Sequence, residues 1–254
     1  MLSLVTIAVL STLAGAANSI AGGGTLLTFP ALVGLGMPPV LANATSTVAL
    51  VPGSFFSMIG YRDALKGSRK WAVAFAIPSV VGGIVGALLL VVTPDERFAT
   101  IVPFLVLGAT IVFLAQRPIL AAVAHMQGAE NAPAAPPAPN MRFTIGQFFV
   151  AIYGGYFGAA AGIVMLGALG LMGLTDIHQM NGLKNWAAIC FNGVAATTFI
   201  VAGLVDWPVA LVMAVGAGIG GWSASRIAQR VPRAWVRGAV GVIGIVAAVW
   251  LFLK

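Results

Sequence analysis

Apolar runs, one after another with little between them, set the limits on what this chain can become. They fall at residues 2–17, 25–36, 43–60, 71–92, 98–116, 143–161, 163–173, 183–204, 207–225 and 238–253, each bounded by a short polar or glycine-rich break. A bilayer core is crossed by roughly 20 apolar residues in helical form. Lipid offers no partner to open backbone groups, so helices are the natural form for such runs. Charged residues make up 7% of the chain, where an ordinary soluble domain carries about 25%. That is too few to coat a water-facing surface. A soluble enzyme and a DNA-binding module are excluded, and the fold class is an all-α polytopic membrane protein. The first run has no basic residue ahead of its apolar core, and apolar character resumes soon after Asn18. It is read as a membrane helix rather than a cleaved signal.

The formal net charge is +7, but its placement argues against nucleic acid. Residues 62–70 hold Arg62, Lys66, Arg69 and Lys70 against Asp63, and residues 226–237 hold Arg226, Arg230, Arg233 and Arg237. The other five bases and five acids cancel. The excess therefore sits in two short segments between apolar runs, as expected of cytoplasmic loops. The single cysteine, Cys190, lies in an apolar stretch and reads as a packing residue.

A linker from 117 to 142 contains Ala132-Pro133-Ala134-Ala135-Pro136-Pro137-Ala138-Pro139. Alanine and proline in this order cannot build a core, so it reads as an extended cytoplasmic tether. It divides the chain into residues 1–116 and 143–254, and the two parts resemble each other. A shift of 139 pairs Gly15 with Gly154, Gly23 with Gly162, Leu27 with Leu166 and Gly34 with Gly173. After a slip of three residues, Trp71, Val73 and Ala74 meet Trp207, Val209 and Ala210. The basic loops occupy opposite places in the two parts. The counterpart of 62–70 holds Asp206 and no base, and the counterpart of 226–237 is the net-negative turn at 93–97. If basic loops are cytoplasmic, the parts are inverted repeats, which requires an odd number of crossings in each. About five segments per repeat fit, beginning with a short hairpin (1–36 or 143–173) whose arms are broken or re-entrant. Both termini and the loops near 95 and 206 then lie outside an inner membrane, with the basic loops and the tether inside.

The stretch Asn18-Ser19-Ile20-Ala21-Gly22-Gly23-Gly24-Thr25 carries the strongest chemical signal. Three glycines in a row weaken a helix by about 1 kcal/mol each relative to alanine. Inside a membrane that points to a turn. A turn that opens a half-helix at Thr25 offers unpaired amides and a positive dipole end to an anion. Close helix packing is the alternative. No Gly-Lys-Ser/Thr follows, so this is not a nucleotide loop. Thr45 and Ser46, near a helix start after Pro38-Pro39, read either as caps or as donors to an oxyanion. The shift of 139 aligns them with Lys184 and Asn185. Lys184 opens an otherwise apolar run, as a snorkelling residue or as the countercharge of an anionic substrate. The candidate substrate-binding set is therefore Asn18, Gly22, Gly23, Gly24, Thr25, Thr45, Ser46, Lys184 and Asn185. Asn192 is expected to bond a neighbouring helix. The spacings Gly82 to Gly86, Gly154 to Gly158, Gly158 to Gly162 and Gly216 to Gly220 are expected at close helix crossings. Arg62 and Asp63 are expected to pair locally.

No catalytic residue, cofactor or metal site is expected. His125 and His178 lie apart, no span holds paired carboxylates, and no nucleophile stands beside a base.

The motif from Asn18 to Pro30 and the Ala44-Thr45-Ser46 helix start resemble the sulfite exporter TauE/SafE family of membrane permeases. So do the Leu35-Gly36-Met37-Pro38-Pro39 step and the Gly182-Leu183-Lys184-Asn185 segment. The resemblance covers nearly the whole chain. Tyr61-Arg62 fits the family's loop after the third helix, while the glycine run is shorter than the family's usual one. The resemblance implies transport of small sulfur-containing anions such as sulfite, sulfoacetate or other organosulfonates, often outward.

The reading is a secondary transporter that exports such an anion by alternating access, with Gly22, Gly23, Gly24, Thr45 and Ser46 facing Lys184 and Asn185 across the site. Moving one negative charge outward gains about 2.3 kcal/mol per 100 mV of inside-negative potential. An importer of an organosulfonate, or an anion channel, is the alternative. The expected partners are the small anion and the lipid bilayer, with no nucleic acid; assembly into a homo-oligomer is left open.

Overall fold

The computed structural model describes residues 4–20, 22–115, 141–227 and 233–253, with a few scattered positions between 118 and 139. These residues form ten helices in order: α1 (Leu4–Ile20), α2 (Thr25–Gly34), α3 (Pro39–Gly60), α4 (Arg69–Val91), α5 (Asp95–Leu114), α6 (Met141–Tyr156), α7 (Ala161–Leu171), α8 (Ile177–Val201), α9 (Trp207–Ile227) and α10 (Arg233–Leu253). No strand occurs among the described residues. Residues 132–138 of the Pro/Ala-rich tether and the middle of the second basic segment, 228–232, lie outside them. The backbone of α10 begins at Arg233, so the last two arginines of that segment belong to its first turns.

Among the described residues four helices are long and apolar enough to cross a membrane, at Pro39–Gly60, Arg69–Val91, Asp95–Leu114 and Trp207–Arg226. α8 has 25 residues, but His178, Gln179, Asn181, Lys184, Asn185 and Asn192 lower its hydropathy. α2 and α7 have 10 and 11 residues, about half a crossing each. The outside of the bundle exposes large apolar side chains, among them Val5, Ile77, Phe104, Phe149, Leu211 and Val246. In water such a surface would drive association; in lipid it is the ordinary exterior of a membrane protein.

Helix pairing follows a matched scheme. α1 packs on α9 and α6 on α4; α3 packs on α9 and α8 on α4; α3 packs on α8 and α5 on α10. Close approach needs small residues. Gly82 and Gly86 let α4 touch the backbone of α6 at Phe148 and Ile152, and Gly216 and Gly220 let α9 touch α1 at Ala8 and Thr12. The expectation for these two glycine pairs agrees with this packing. Gly154 meets the ring of Phe191 on α8. Gly158 departs from the expectation, because α6 ends at Tyr156 and Gly158 forms the turn that follows.

The ends of the helices sort by charge. Gly60 at the end of α3 abuts Ser225 near the end of α9, so both basic segments leave the bundle side by side. The start of α8 lies at this same end, with His178 beside Tyr61 at 6.1 Å between ring centroids and Gln179 Nε2 donating to Ser68 Oγ at 2.8 Å. At the other end, the amide of Val40 donates to the Asp95 carboxylate at 2.9 Å and the amide of Asp206 donates to Thr45 Oγ1 at 3.1 Å. α3 therefore runs from the acidic end to the basic end, and α8 runs back. In the first basic loop Asp63 pairs with Lys66 at 2.9 Å, rather than with Arg62 alone as the sequence suggested. Lys66 and then Arg62 hold its carboxyl below the usual carboxylate range.

Candidate functional site

Two breaks in the helical chain meet near the centre of the bundle. In the first, Gly22 takes a left-handed conformation, φ 81°, and its amide donates to the carbonyls of Ala17 and Asn18 at 3.1 Å each. A glycine of this kind ends a helix without the penalty a Cβ brings. Gly23 then lies against the ring of Phe113, and Gly24 against Ala14 and Asn18 of α1, before α2 starts at Thr25. In the second break Gly158 has φ 78° and Ala160 φ 60°, and the Tyr153 hydroxyl donates to the Ala159 carbonyl at 2.7 Å. α7 then starts at Ala161. The breaks touch through glycine: a Cβ on Gly22 would lie 3.0 Å from Gly162 Cα.

Each break leaves helix-end carbonyls to be satisfied, and the opposite part of the chain does so. Lys184, on the second turn of α8 and 2% exposed, donates from Nζ to the carbonyls of Asn18 and Ser19 at the end of α1, 3.0 Å each. Asn43 on α3 donates from Nδ2 to the carbonyl of Tyr156 at the end of α6, 2.9 Å.

Between the breaks lies a small cavity of about 20 Å³, room for roughly one water molecule. Asn18, Gly22 and Thr25 line it from the first break, and Gly158, Ala161 and Gly162 from the second. Lys184, Asn185 and Asn192 line it from α8, and Thr47 and Leu50 from α3. The starts of both half-helices, α2 and α7, thus face one space. Among the described residues the amide of Gly162 reaches no backbone carbonyl. Two positive dipole ends and one ammonium converge on the cavity. Asn185 is 1% exposed, and its Nδ2 has no hydrogen-bond partner among the described residues. Such a buried donor costs about 1–3 kcal/mol when left unpaired, so it is a ready contact for an acceptor that enters the cavity.

Of the residues proposed from sequence, the structure brings Asn18, Gly22, Thr25, Lys184 and Asn185 to this cavity. Gly23 and Gly24 are packed against Phe113 and α1 instead. Thr45 and Ser46 point elsewhere. Thr45 accepts from Asp206 at the acidic end, and the Ser46 hydroxyl shares a hydrogen bond with Thr28 of α2. The reason is the helix start. α3 begins at Pro39 with no side-chain cap, so both residues fall in its second turn and cap nothing. α8 likewise begins earlier than its apolar run, capped by the Asp176 carboxylate, which accepts from the His178 and Gln179 amides at 2.8 and 3.4 Å.

Sequence reasoning missed Thr47, Gly158, Gly162 and Asn192 as cavity residues. Asn192 was readable. It stands eight residues after Lys184 and seven after Asn185, which places all three on one helix face. Gly162 carried a signal too, as the partner of Gly23 under the shift of 139. Nothing in the sequence marked Thr47 apart from its neighbours Thr45 and Ser46. Among the described residues no cluster of three or more His, Cys, Asp or Glu side chains is placed to hold a metal ion.

The chain is 27% identical over 241 residues to a probable membrane transporter protein, ORF9, of Sinorhizobium, covering 94% of this chain and 88% of the relative. It is 29% identical over 244 residues to the probable membrane transporter protein YfcA of Escherichia coli K12, covering 92% and 84%. A probable membrane transporter protein of Haemophilus influenzae is 26% identical over 218 residues, covering 80% and 76%. These relatives are named as transporters and none as an enzyme, in keeping with a bundle that surrounds a polar cavity in an apolar shell. The description "Sulfite exporter TauE/SafE" matches residues 7–251, and on that span the chain belongs to the TauE/SafE family of membrane transporters.

Proposed function

We propose that the chain is a secondary transporter that exports a small sulfur-containing anion, such as sulfite or sulfoacetate, by alternating access through the cavity between the two helix breaks. The observation that carries this reading is the meeting of two half-helix starts, the Lys184 ammonium and the unpartnered Asn185 amide around one buried space. Each favours negative charge or a hydrogen-bond acceptor. An oxyanion of sulfur presents both.

The halves, 1–116 and 143–254, are read as inverted repeats of five segments joined by the tether. The opposite courses of α3 and α8, and the matched pairing of α1 with α9 and α6 with α4, support this reading. The basic ends face the cytoplasm across an inner membrane, as the excess of bases at one end favours. A cavity of about 20 Å³ holds little more than a water, so the substrate enters only when the halves separate. A closed site that opens by rocking suits a carrier better than a channel.

The test is efflux of sulfite and sulfoacetate from proteoliposomes with an inside-negative potential. Saturable efflux that is lost in Asn185→Ala supports the reading. Flux that rises linearly with concentration, or an Asn185→Ala protein with unchanged flux, removes it.

A further inference from the structure

A cation buried at membrane depth is retained only where it meets compensating groups. Lys184 meets the last carbonyls of α1, the negative end of that helix. In secondary transporters, broken-helix ends and unwound carbonyls of this kind coordinate the coupling sodium ion. Here the chain fills the oxygen pair with a side chain of its own. The ammonium donates to the carbonyls of Asn18 and Ser19. The adjacent Asn185 also lines the cavity, and its side-chain Nδ2 is buried without a partner among the described residues.

We propose that Lys184 is a resident cation that stands in for a coupling metal ion, while Asn185 makes the direct contact with the anion. The proposal rests on the anion reading above and adds how that site is coupled. Because the ammonium is tethered to α8, it does not leave with the substrate. Its positive charge stays beside the cavity throughout the cycle, and the anion moves without a sodium gradient. The second break shows what the alternative looks like. There a neutral amide, Asn43, fills the equivalent place at the end of α6, and no charge is supplied.

The experiment compares the purified full-length wild type with Lys184→Met and Asn185→Ala by thermal melting, in sodium chloride and in choline chloride. Each is measured with and without sulfite added as its choline salt. The wild type is expected to melt alike in both salts and to be raised by sulfite in both. Lys184→Met is expected to melt lower in choline chloride and to recover in sodium or methylammonium chloride, because a small cation now takes the vacated oxygens. Asn185→Ala is expected to lose the sulfite effect and to show no preference between salts. Lys184→Met protein that ignores every small cation overturns the proposal. So does wild-type protein in proteoliposomes that moves sulfite only with sodium present, a readout that decides the matter even if Lys184→Met does not fold. Wild type indifferent to sulfite and sulfoacetate in both salts overturns the anion reading instead, while the sodium response of Lys184→Met still decides the resident cation.

Discussion

The two helix breaks solve one physical problem with different chemistry. Each has a left-handed glycine, Gly22 or Gly158, and each is followed by a short half-helix whose start faces the cavity. At each, a residue from the opposite half of the chain satisfies the carbonyls left open by the ending helix. At the end of α1 that residue is charged, Lys184, and reaches two carbonyls; at the end of α6 it is neutral, Asn43, and reaches one. Each break also has internal support, the hydroxyl of Thr28 on Gly24 at the first and the hydroxyl of Tyr153 on Ala159 at the second. Two similar breaks thus carry different electrostatics. A site equally positive from both sides would repel any cation and hold an anion tightly; placing the charge on one side leaves the other break free to carry only shape.

The sharpest way to break this comparison is to remove each capping residue in turn. Lys184→Met leaves two buried carbonyls without a charged donor, and hydrogen bonds of that kind contribute about 1.5–3 kcal/mol each. In choline chloride, where no small cation replaces the ammonium, a marked fall in melting temperature and loss of the sulfite-dependent rise are expected. Asn43→Leu removes one neutral interhelical bond, which contributes about 0.6–1.7 kcal/mol in membranes. It is expected to melt slightly lower with its sulfite response intact. Equal effects of both substitutions on sulfite binding, measured by titration calorimetry, would mean that the charge asymmetry has no functional meaning.

A second substitution acts where the breaks touch. A Cβ on Gly162 would lie 2.9 Å from Lys184 Cδ and 3.2 Å from Gly22 Cα. Overpacking of this kind costs about 1–3 kcal/mol, so Gly162→Ala is expected to lower stability and to disturb Lys184 from its carbonyls. Gly193→Ala, a glycine on α8 with open space around it, is the matched control and is expected to leave binding unchanged and to raise melting slightly, since alanine favours a helix interior by about 1 kcal/mol.

The strain at the second break can be relieved rather than added. Ala160 holds φ 60°, a conformation that costs an alanine about 1–2 kcal/mol. Part of the gain from glycine is offset by its greater freedom in the unfolded chain, about 0.4–1 kcal/mol. Ala160→Gly is therefore expected to raise the melting temperature by a small amount. A fall would show that the Ala160 methyl contributes packing that outweighs its backbone strain.

The smallest effect is expected outside the membrane. Asp63 carries a carboxyl held below its usual range by Lys66, so any stability it contributes is present above that range and lost as pH falls through it. The two side chains are 76% and 80% exposed, and exposed pairs contribute little. Asp63→Asn is expected to melt like the wild type between neutral and mildly acidic pH. A pH-dependent difference would show that the Asp63–Lys66 pair is shielded from water in the membrane-bound protein.

Much of the architecture was legible because lipid leaves few options. Apolar runs of membrane length must be helices, and charge counts alone separate the ends of the bundle. The glycine run announced a break, since three successive glycines are tolerated at membrane depth only where the chain turns. The site was legible in part. Lys184 and Asn185 stood out as polar residues in an apolar stretch, and they do line the cavity. Thr45 and Ser46 stood out in the same way and do not, because the shift of 139 pairs positions in sequence without bringing them together in space. Where two helices run in opposite directions, residues at matching positions lie toward opposite ends. Thr45 accordingly meets Asp206 at the acidic end, while Lys184 meets the end of α1.

Hydropathy and charge along the chain therefore determined the class of this protein, its helices and the end at which its bases gather. These follow from local composition acting against a slab of hydrocarbon. Only the tertiary structure decided which polar groups share a cavity, that Lys184 reaches the carbonyls of Asn18 and Ser19, and that Asn185 has an unpaired donor among the described residues. Those outcomes depend on which helix ends meet, and groups 165 residues apart in the chain meet through packing that no local window contains.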